Sequence, residues 1–142
     1  MKHTKFALLA LSGAAILSAC SIRQSVEPAT LGAGESICVI NNEDVGKNVE
    51  AVIVDDLRDK GYIVRVVSDF NDPSCTNKLT YVANWNWDVA VYMNNLEIEV
   101  FEGAVRTGEA NYNSEKGGAN MGKFINAEDK IRELLAELFP AG

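Results

Sequence analysis

The chain has 142 residues and a formal net charge of −7, and 47% of its residues are hydrophobic. That length suits one domain with a buried core. The acidic balance argues against nucleic acid and anionic lipid headgroups as partners, because both are bound through clustered lysine and arginine.

The first 19 residues have the pattern of an export signal. Lys2 and Lys5 are followed by an apolar segment over residues 6–19. This segment is shorter than the roughly 20 apolar residues that a helix needs to span a bilayer. A charged start, a short apolar segment and small residues before the cut are typical of a cleaved signal peptide.

The end of this signal resembles the bacterial lipobox. Leu17, Ser18 and Ala19 precede Cys20, which matches a branched apolar residue and two small residues before a cysteine. The resemblance implies that a signal peptidase recognises Leu17, Ser18 and Ala19 and cuts before Cys20, and that the Cys20 thiol carries a diacylglyceryl group. The alternative is an ordinary signal peptide in which Cys20 stands by chance.

Lipidation would determine where in the cell the protein is located. Several long acyl chains hold a protein on a membrane essentially irreversibly. Ser21 follows the lipidated residue, and the sorting rule that goes with the lipobox then implies the periplasmic face of the outer membrane. We therefore predict a signal peptide over residues 1–19, a lipidated N-terminus with a flexible tether over 20–34, and one domain over 35–142.

The mature chain would contain no histidine, because His3 is the only one and lies in the signal. Removal of Lys2 and Lys5 leaves 11 of the 13 basic residues against 20 acidic ones, a formal charge of −9. The absence of histidine excludes Ser-His-Asp and Cys-His catalysis and histidine-ligated zinc. We predict that the protein is not an enzyme and has neither a metal nor a cofactor other than the lipid on Cys20.

Two cysteines remain after lipidation, Cys38 and Cys75. Two thiols in one small domain usually pair in an oxidising compartment, so we predict a disulfide between them. The alternative is two separate buried thiols.

The periodicity predicts an α+β domain. Residues 36–40 and 62–67 have the composition of strands, and the second is expected to be covered on both faces. Between them, apolar residues recur at three- and four-residue spacing, which predicts a helix ending at Gly61. The residues on its apolar face are Val45, Val49, Val52, Ile53 and Leu57.

The second half of the chain alternates with period two. Residues 79–88 form the clearest strand, and the pattern continues to residue 101 with a change of parity that predicts a bulge or turn at Asn94-Asn95. A hairpin at Gly103 leads to a strand over 105–112. After a glycine-rich connector, Asn126 caps a last helix that Pro140 ends.

These elements predict a mixed, mostly antiparallel sheet of four to five strands with two helices on one face, in the order β-α-β-β-β-α.

Two groups of side chains are candidates for a ligand or partner surface. Trp85 and Trp87 share the parity of Leu79 and Ala83, which predicts that they lie on the core face beneath the helices. The alternative is a stacking platform for a sugar. Glu97 and Glu99, with Glu102 and Glu109, offer carboxylates for glycoside hydrolysis or Ca²⁺ binding, although alternate acidic residues on a strand are typical of a solvated face.

Taken together, segments 17–20, 85–88, 96–103, 108–112 and 138–140 resemble a family of small uncharacterised proteobacterial envelope lipoproteins. The predicted element order also resembles outer-membrane accessory lipoproteins, which bind envelope machinery and do not catalyse. The resemblance implies a non-catalytic module whose partner is another envelope protein or a second copy of the chain. A domain that binds a small ligand or glycan is the alternative.

Overall fold

The computed structural model describes residues 21–46 and 48–141, so the lipobox and Cys20 lie outside the described residues. Within these ranges the chain forms six strands, two α-helices and two short 3₁₀ turns. They are β1 (Arg23–Glu27), β2 (Ser36–Ile40), α1 (Asn48–Asp59), β3 (Ile63–Val67), β4 (Asn77–Asp88), β5 (Ala90–Glu102), β6 (Val105–Asn113), the turns Glu115–Gly117 and Met121–Lys123, and α2 (Ala127–Leu138).

The strands form one mixed sheet in the order β1-β6-β5-β4-β2-β3. β2 is parallel to β3 and to β4, and the other neighbours are antiparallel. This confirms the α+β class and the mixed sheet. The predicted number of four to five strands is corrected to six, and the element order to β-β-α-β-β-β-β-α.

Both helices pack on one face of the sheet and contact each other. Their apolar stripes meet the alternating apolar residues of β4, β5 and β6, so that one contiguous core forms between the two layers. Asn126 begins α2 as predicted, because its side chain accepts a hydrogen bond from the Asp129 N–H at 3.2 Å. Gly61 follows α1 with a φ of 89°, a conformation that glycine adopts without strain.

The structure differs from the predicted tether at residues 23–27, which form β1 and pair with β6 over five residues. The sequence of this strand is polar, since only Val26 packs against the core. Its period-two signal is therefore too weak to predict a strand, and the backbone pairing with β6 decides its conformation.

β3 is an edge strand, which corrects the prediction that residues 62–67 are covered on both faces. Ile63 is 59% exposed and Val66 is 44% exposed. A run of β-branched residues is typical of a strand in a parallel arrangement, and β3 does pair in parallel with β2. Its other edge lacks a strand partner in the described sheet.

The long period-two segment is two strands joined by a hairpin. Asn84 pairs with Asn95 and Trp85 pairs with Met93, so Asn94 is the extra residue of a bulge, as predicted. The chain also reverses at Val89, between the paired residues Asp88 and Ala90. This turn was not predicted because its central residue is a valine with a φ of 62°, and not the glycine or asparagine that usually marks such turns.

Candidate functional site

The predicted disulfide between Cys38 and Cys75 is present, with an S–S distance of 2.03 Å. It joins the middle of β2 to the turn before β4, and both cysteines are buried. Arg65 of β3 lies beside it and donates a hydrogen bond to the Ser74 hydroxyl at 2.6 Å. The bridge therefore fastens a loop to the parallel half of the sheet.

The sheet face opposite the helices, called the open face below, carries rows of mostly polar side chains across the strands. The row nearest the start of β1 consists of Arg23, Asn113, Asn95 and Asn84. The next row consists of Ser25, Asn111, Glu97 and Val82, and the third of Glu27, Glu109, Glu99 and Thr80. Of the predicted acidic residues, Glu97, Glu99 and Glu109 thus lie on one face, and β1 adds Glu27 to them.

Arg106 holds the two central carboxylates of this face. Its Nη1 lies 3.1 Å from Oε1 of Glu99 and 2.7 Å from Oε2 of Glu109. The hydrogen bond to Glu99 and the charge of Glu109 raise the pKa of the Arg106 guanidinium. Carboxylates directly opposite each other on paired strands repel, and the shared cation offsets this repulsion. The arrangement is that of a cross-strand ion pair.

Glu97 stands apart from this ion pair, between Asn111 and Val82. Glu102 lies at the far end of β5 and is exposed. In residues 21–46 and 48–141, no three acidic, cysteine or histidine side chains come together as metal ligands.

Trp85 and Trp87 are exposed, which corrects the prediction that they lie in the core beneath the helices. Trp85 is 40% exposed and Trp87 is 72% exposed. Their parity was predicted correctly, because Trp85 pairs with the buried Met93 on the helix side of the sheet. The hairpin, however, extends past the helix layer: Trp85 lines a cleft with Val49 of α1 and Ile131 of α2.

The end of this hairpin, residues 85–91, is called the hairpin tip below. Beyond Trp85 it exposes three apolar side chains. Trp87, Val89 and Val91 are 72%, 86% and 68% exposed. Their grouping at one end of the sheet is a feature that the sequence analysis missed, because it depends on the turn at Val89.

The connector that follows β6 holds the hairpin tip next to its turn, at Asp88. Lys123 is buried, and its Nζ lies 2.5 Å from Oδ2 of Asp88 and 2.6 Å from the Gly118 carbonyl oxygen. Phe124 packs edge-on against Tyr92 at 5.3 Å between ring centroids. The tip is therefore fixed to the domain beside its turn, while the apolar side chains of Trp87, Val89 and Val91 are exposed.

Comparison with known proteins identifies a fold. No protein-family model matches the chain, and no curated protein matches it in sequence. Among solved structures, it is similar to the PelC dodecamer from Paraburkholderia phytofirmans in space group P6, with a TM-score of 0.53 and 18% identity over 84% of this chain and 98% of that chain. A single-substitution variant of that dodecamer in space group C2 has a TM-score of 0.50 and 16% identity over 83% and 94% of the two chains.

At these identities the likeness to PelC shows the fold alone. It covers nearly the whole PelC chain. Neither helix in the described part of this chain is long and apolar enough to cross a membrane.

Proposed function

We propose that the protein is a lipoprotein of the periplasmic face of the outer membrane that self-associates and serves there as a non-catalytic accessory module. The observation that carries the proposal is the fold shared with PelC, which was solved as a dodecamer. The Cys38–Cys75 disulfide adds support, because such bonds persist in oxidising compartments outside the cytoplasm. The lipobox at Cys20 supports the location at the membrane.

The two edges of the sheet support a head-to-tail assembly. A ring forms when two different patches of one protomer bind each other on neighbouring copies. The sheet ends in two unlike edges, β1 at one side and β3 at the other. β3 has an unpaired edge with Ile63 and Val66 exposed, a combination that promotes pairing with another chain. We place one of the two contact patches on β3.

The test is the mass of the mature lipidated protein in detergent, measured by light scattering after gel filtration. We expect a mass of several protomers for the wild type. Ile63→Lys should shift it toward the monomer, because a charged ammonium on β3 would be buried in the contact. The matched control is Val105→Lys, which alters a valine that is 67% exposed at the β5–β6 turn. A wild type that is monomeric both in detergent and after crosslinking in cells would overturn self-association.

Attachment to the membrane through a lipid on Cys20 is tested separately. Cys20→Ala removes the thiol that would carry the lipid, so we expect an unprocessed precursor without lipid. Mass spectrometry of the N-terminal peptide distinguishes precursor, lipidated and unlipidated forms. Normal cleavage of the Cys20→Ala protein would overturn the lipobox assignment while leaving self-association to be decided by the mass measurement.

A further inference from the structure

A cation lies beside the Cys38–Cys75 bridge. Nη2 of Arg65 is 3.3 Å from Sγ of Cys75 and 3.5 Å from Sγ of Cys38, and it also donates the hydrogen bond to the Ser74 hydroxyl. That hydroxyl in turn donates a hydrogen bond to Oδ1 of Asp72 at 2.5 Å. The guanidinium of Arg65 is therefore drawn from β3 toward β2 and the loop that carries Cys75.

This position affects the edge of the sheet, because Arg65 is the only charged residue of β3. Charged side chains on an edge strand are one means by which proteins prevent pairing with a further chain. Here the guanidinium is bound on the β2 side of the strand. The unpaired edge of β3 is left with the exposed apolar residues Ile63 and Val66, which favour contact with a neighbour.

The bridge joins β2 to the loop between β3 and β4, residues 69–76. Both ends of this loop are attached to β5 and the turn that follows it. Phe70 packs edge-on against Phe101 at 5.2 Å between ring centroids, and the Thr76 carbonyl oxygen accepts a hydrogen bond from the Gly103 N–H at 2.8 Å. Opening the bridge would release Ser74 from β2 while the ends of the loop stay in place.

The same cation assists the opening of the bridge by a dithiol. A thiolate of the dithiol attacks one sulfur of the bridge, a mixed disulfide forms, and the other cysteine leaves as a thiolate. The second thiolate of the dithiol then displaces the remaining cysteine, so that two electrons and two protons pass from the dithiol to the bridge and the dithiol becomes a disulfide. A guanidinium within hydrogen-bond distance of both sulfurs stabilises the departing thiolate, whichever cysteine it is on.

A cavity beside the bridge gives a dithiol access to it. The cavity has a volume of about 400 Å³ and is lined by both cysteines, Arg65, Ser74 and Asn77. This volume is within the roughly 300–1,000 Å³ of small-molecule pockets. Cys38 and Cys75 are only 4% and 6% exposed, so a reductant has to enter this cavity to reach their sulfurs.

We infer that the Cys38–Cys75 bridge is a site of thiol–disulfide exchange with a dithiol, and that its oxidised state keeps β3 able to contact a neighbouring copy. Reduction releases Ser74 and with it Arg65, and the freed guanidinium then protects the edge of β3 from pairing. The inference rests on the proposed self-association, because it names a condition under which the β3 contact forms.

The first measurement is the ratio of reduced to oxidised dithiothreitol at which half of the bridge is open. Free thiols of the mature lipidated protein are counted by alkylation and mass spectrometry, and a lipid on Cys20 leaves Cys38 and Cys75 as the only thiols. Arg65→Met should raise this ratio about tenfold, because the open form loses the cation beside its thiolate. Arg58→Met, which removes an exposed cation near the end of α1, should leave the ratio unchanged.

The second measurement is the mass in detergent of each protein with the bridge fully oxidised and fully reduced. The wild type and Arg58→Met should contain several protomers when oxidised and shift toward the monomer when reduced. Arg65→Met should keep its mass in both states, because it has no charge to release at β3. Circular dichroism of the reduced proteins should show unchanged secondary structure.

Four outcomes would overturn the inference. They are a reduced wild type with the mass of the oxidised protein, an equal half-reduction ratio for Arg65→Met and the wild type, an equal loss of mass in the two proteins on reduction, and loss of secondary structure on reduction. The last two would mean that the bridge acts through the stability of the fold.

An oxidised wild type that is monomeric would overturn the proposed self-association and, with it, the effect on β3. The half-reduction ratio does not depend on assembly, so it still decides whether Arg65 assists exchange at the bridge. The two failures are therefore distinguishable.

Discussion

Tyr81 joins the sheet to the start of the helix layer through its hydroxyl group. The hydroxyl accepts a hydrogen bond from the Asn42 N–H at 3.1 Å and donates one to Oε2 of Glu50 at 2.9 Å. Burial of the ring and, secondarily, the neighbouring Glu50 carboxylate raise the pKa of Tyr81 to about 12. Both effects disfavour the phenolate, so the folded protein holds this proton more tightly than the unfolded chain does.

The raised pKa of Tyr81 predicts how stability changes at alkaline pH. In the unfolded chain tyrosine ionises near pH 10. The contribution of Tyr81 to the free energy of unfolding is therefore complete below pH 10 and is lost as the pH rises from 10 to about 12. Tyr81→Phe should lower stability near pH 8 by about 1 kcal/mol, through its lost hydrogen bonds, and should make the alkaline decline shallower.

Urea unfolding between pH 8 and pH 12 checks this prediction. Tyr92→Phe is the matched control, because it removes a hydroxyl from another buried ring and leaves Tyr81 in place. An alkaline decline in Tyr81→Phe as steep as that of the wild type would assign the effect to other groups.

Single residues were predictable where their role is local. Asn126 begins α2 and Gly61 follows the end of α1, each through a hydrogen bond to a neighbour in the chain, and Asn94 breaks a parity that the sequence displays. The ion pair of Lys123 with Asp88 was not predictable. It joins residues 35 positions apart, and Lys123 lies in a glycine-rich connector that has no periodic signal.

At the scale of elements, the closest backbone approach at a described glycine involves β6 and the segment that follows β1. A Cβ on Gly108 would lie 2.7 Å from Cα of Ala29 and 2.8 Å from its Cβ. The Ala29 N–H donates a hydrogen bond to the Leu138 carbonyl oxygen at 2.8 Å, so this segment is also fixed to the end of α2. Only a glycine at position 108 lets the segment cross β6 at this distance.

Gly108→Ala should therefore destabilise the domain by about 1–3 kcal/mol, because either the segment or β6 must move to admit the methyl group. Gly46→Ala is the matched control. A Cβ there would lie 3.9 Å from the Trp85 ring, an ordinary contact, so we expect little change or a small gain. The stability of both variants is measured as the midpoint of urea unfolding. Equal midpoints would contradict the close contact between Gly108 and the segment at Ala29.

The two helices were predicted because each buries a stripe at the helical period against the sheet. β1 and the reversal at Val89 were missed for a common reason. Neither carries a local signal: β1 has one core residue, and the turn has no glycine, proline or asparagine at its centre. Pairing with β6 and between β4 and β5 determines both elements.

At the scale of the whole molecule, the Cys38–Cys75 disulfide links residues separated by 37 positions. The loop it closes contains α1 and β3, so the bridge restricts about a quarter of the chain in the unfolded state. By the chain-entropy estimate, closing such a loop stabilises the folded state by about 4 kcal/mol. That is a large part of the 5–15 kcal/mol typical of a domain.

Replacing both cysteines, Cys38→Ala with Cys75→Ala, should lower the free energy of unfolding by roughly 2–4 kcal/mol. Unfolding of the wild type in reductant should approach that of the double variant, whereas reductant should leave the double variant unchanged. A wild type whose urea midpoint is insensitive to full reduction would contradict a stabilising role for the bridge.

The sequence alone was enough to predict the pairing of Cys38 with Cys75 and the α+β class, because each depends on local pattern or on the count of cysteines. Tertiary structure alone decided that the tryptophans are exposed and that β3 is an edge strand. Period-two alternation specifies which side of a strand a residue occupies, but not whether the helix layer extends over it. Trp87 has the parity of a core residue and lies in solvent because β4 is longer than the helices that cover it.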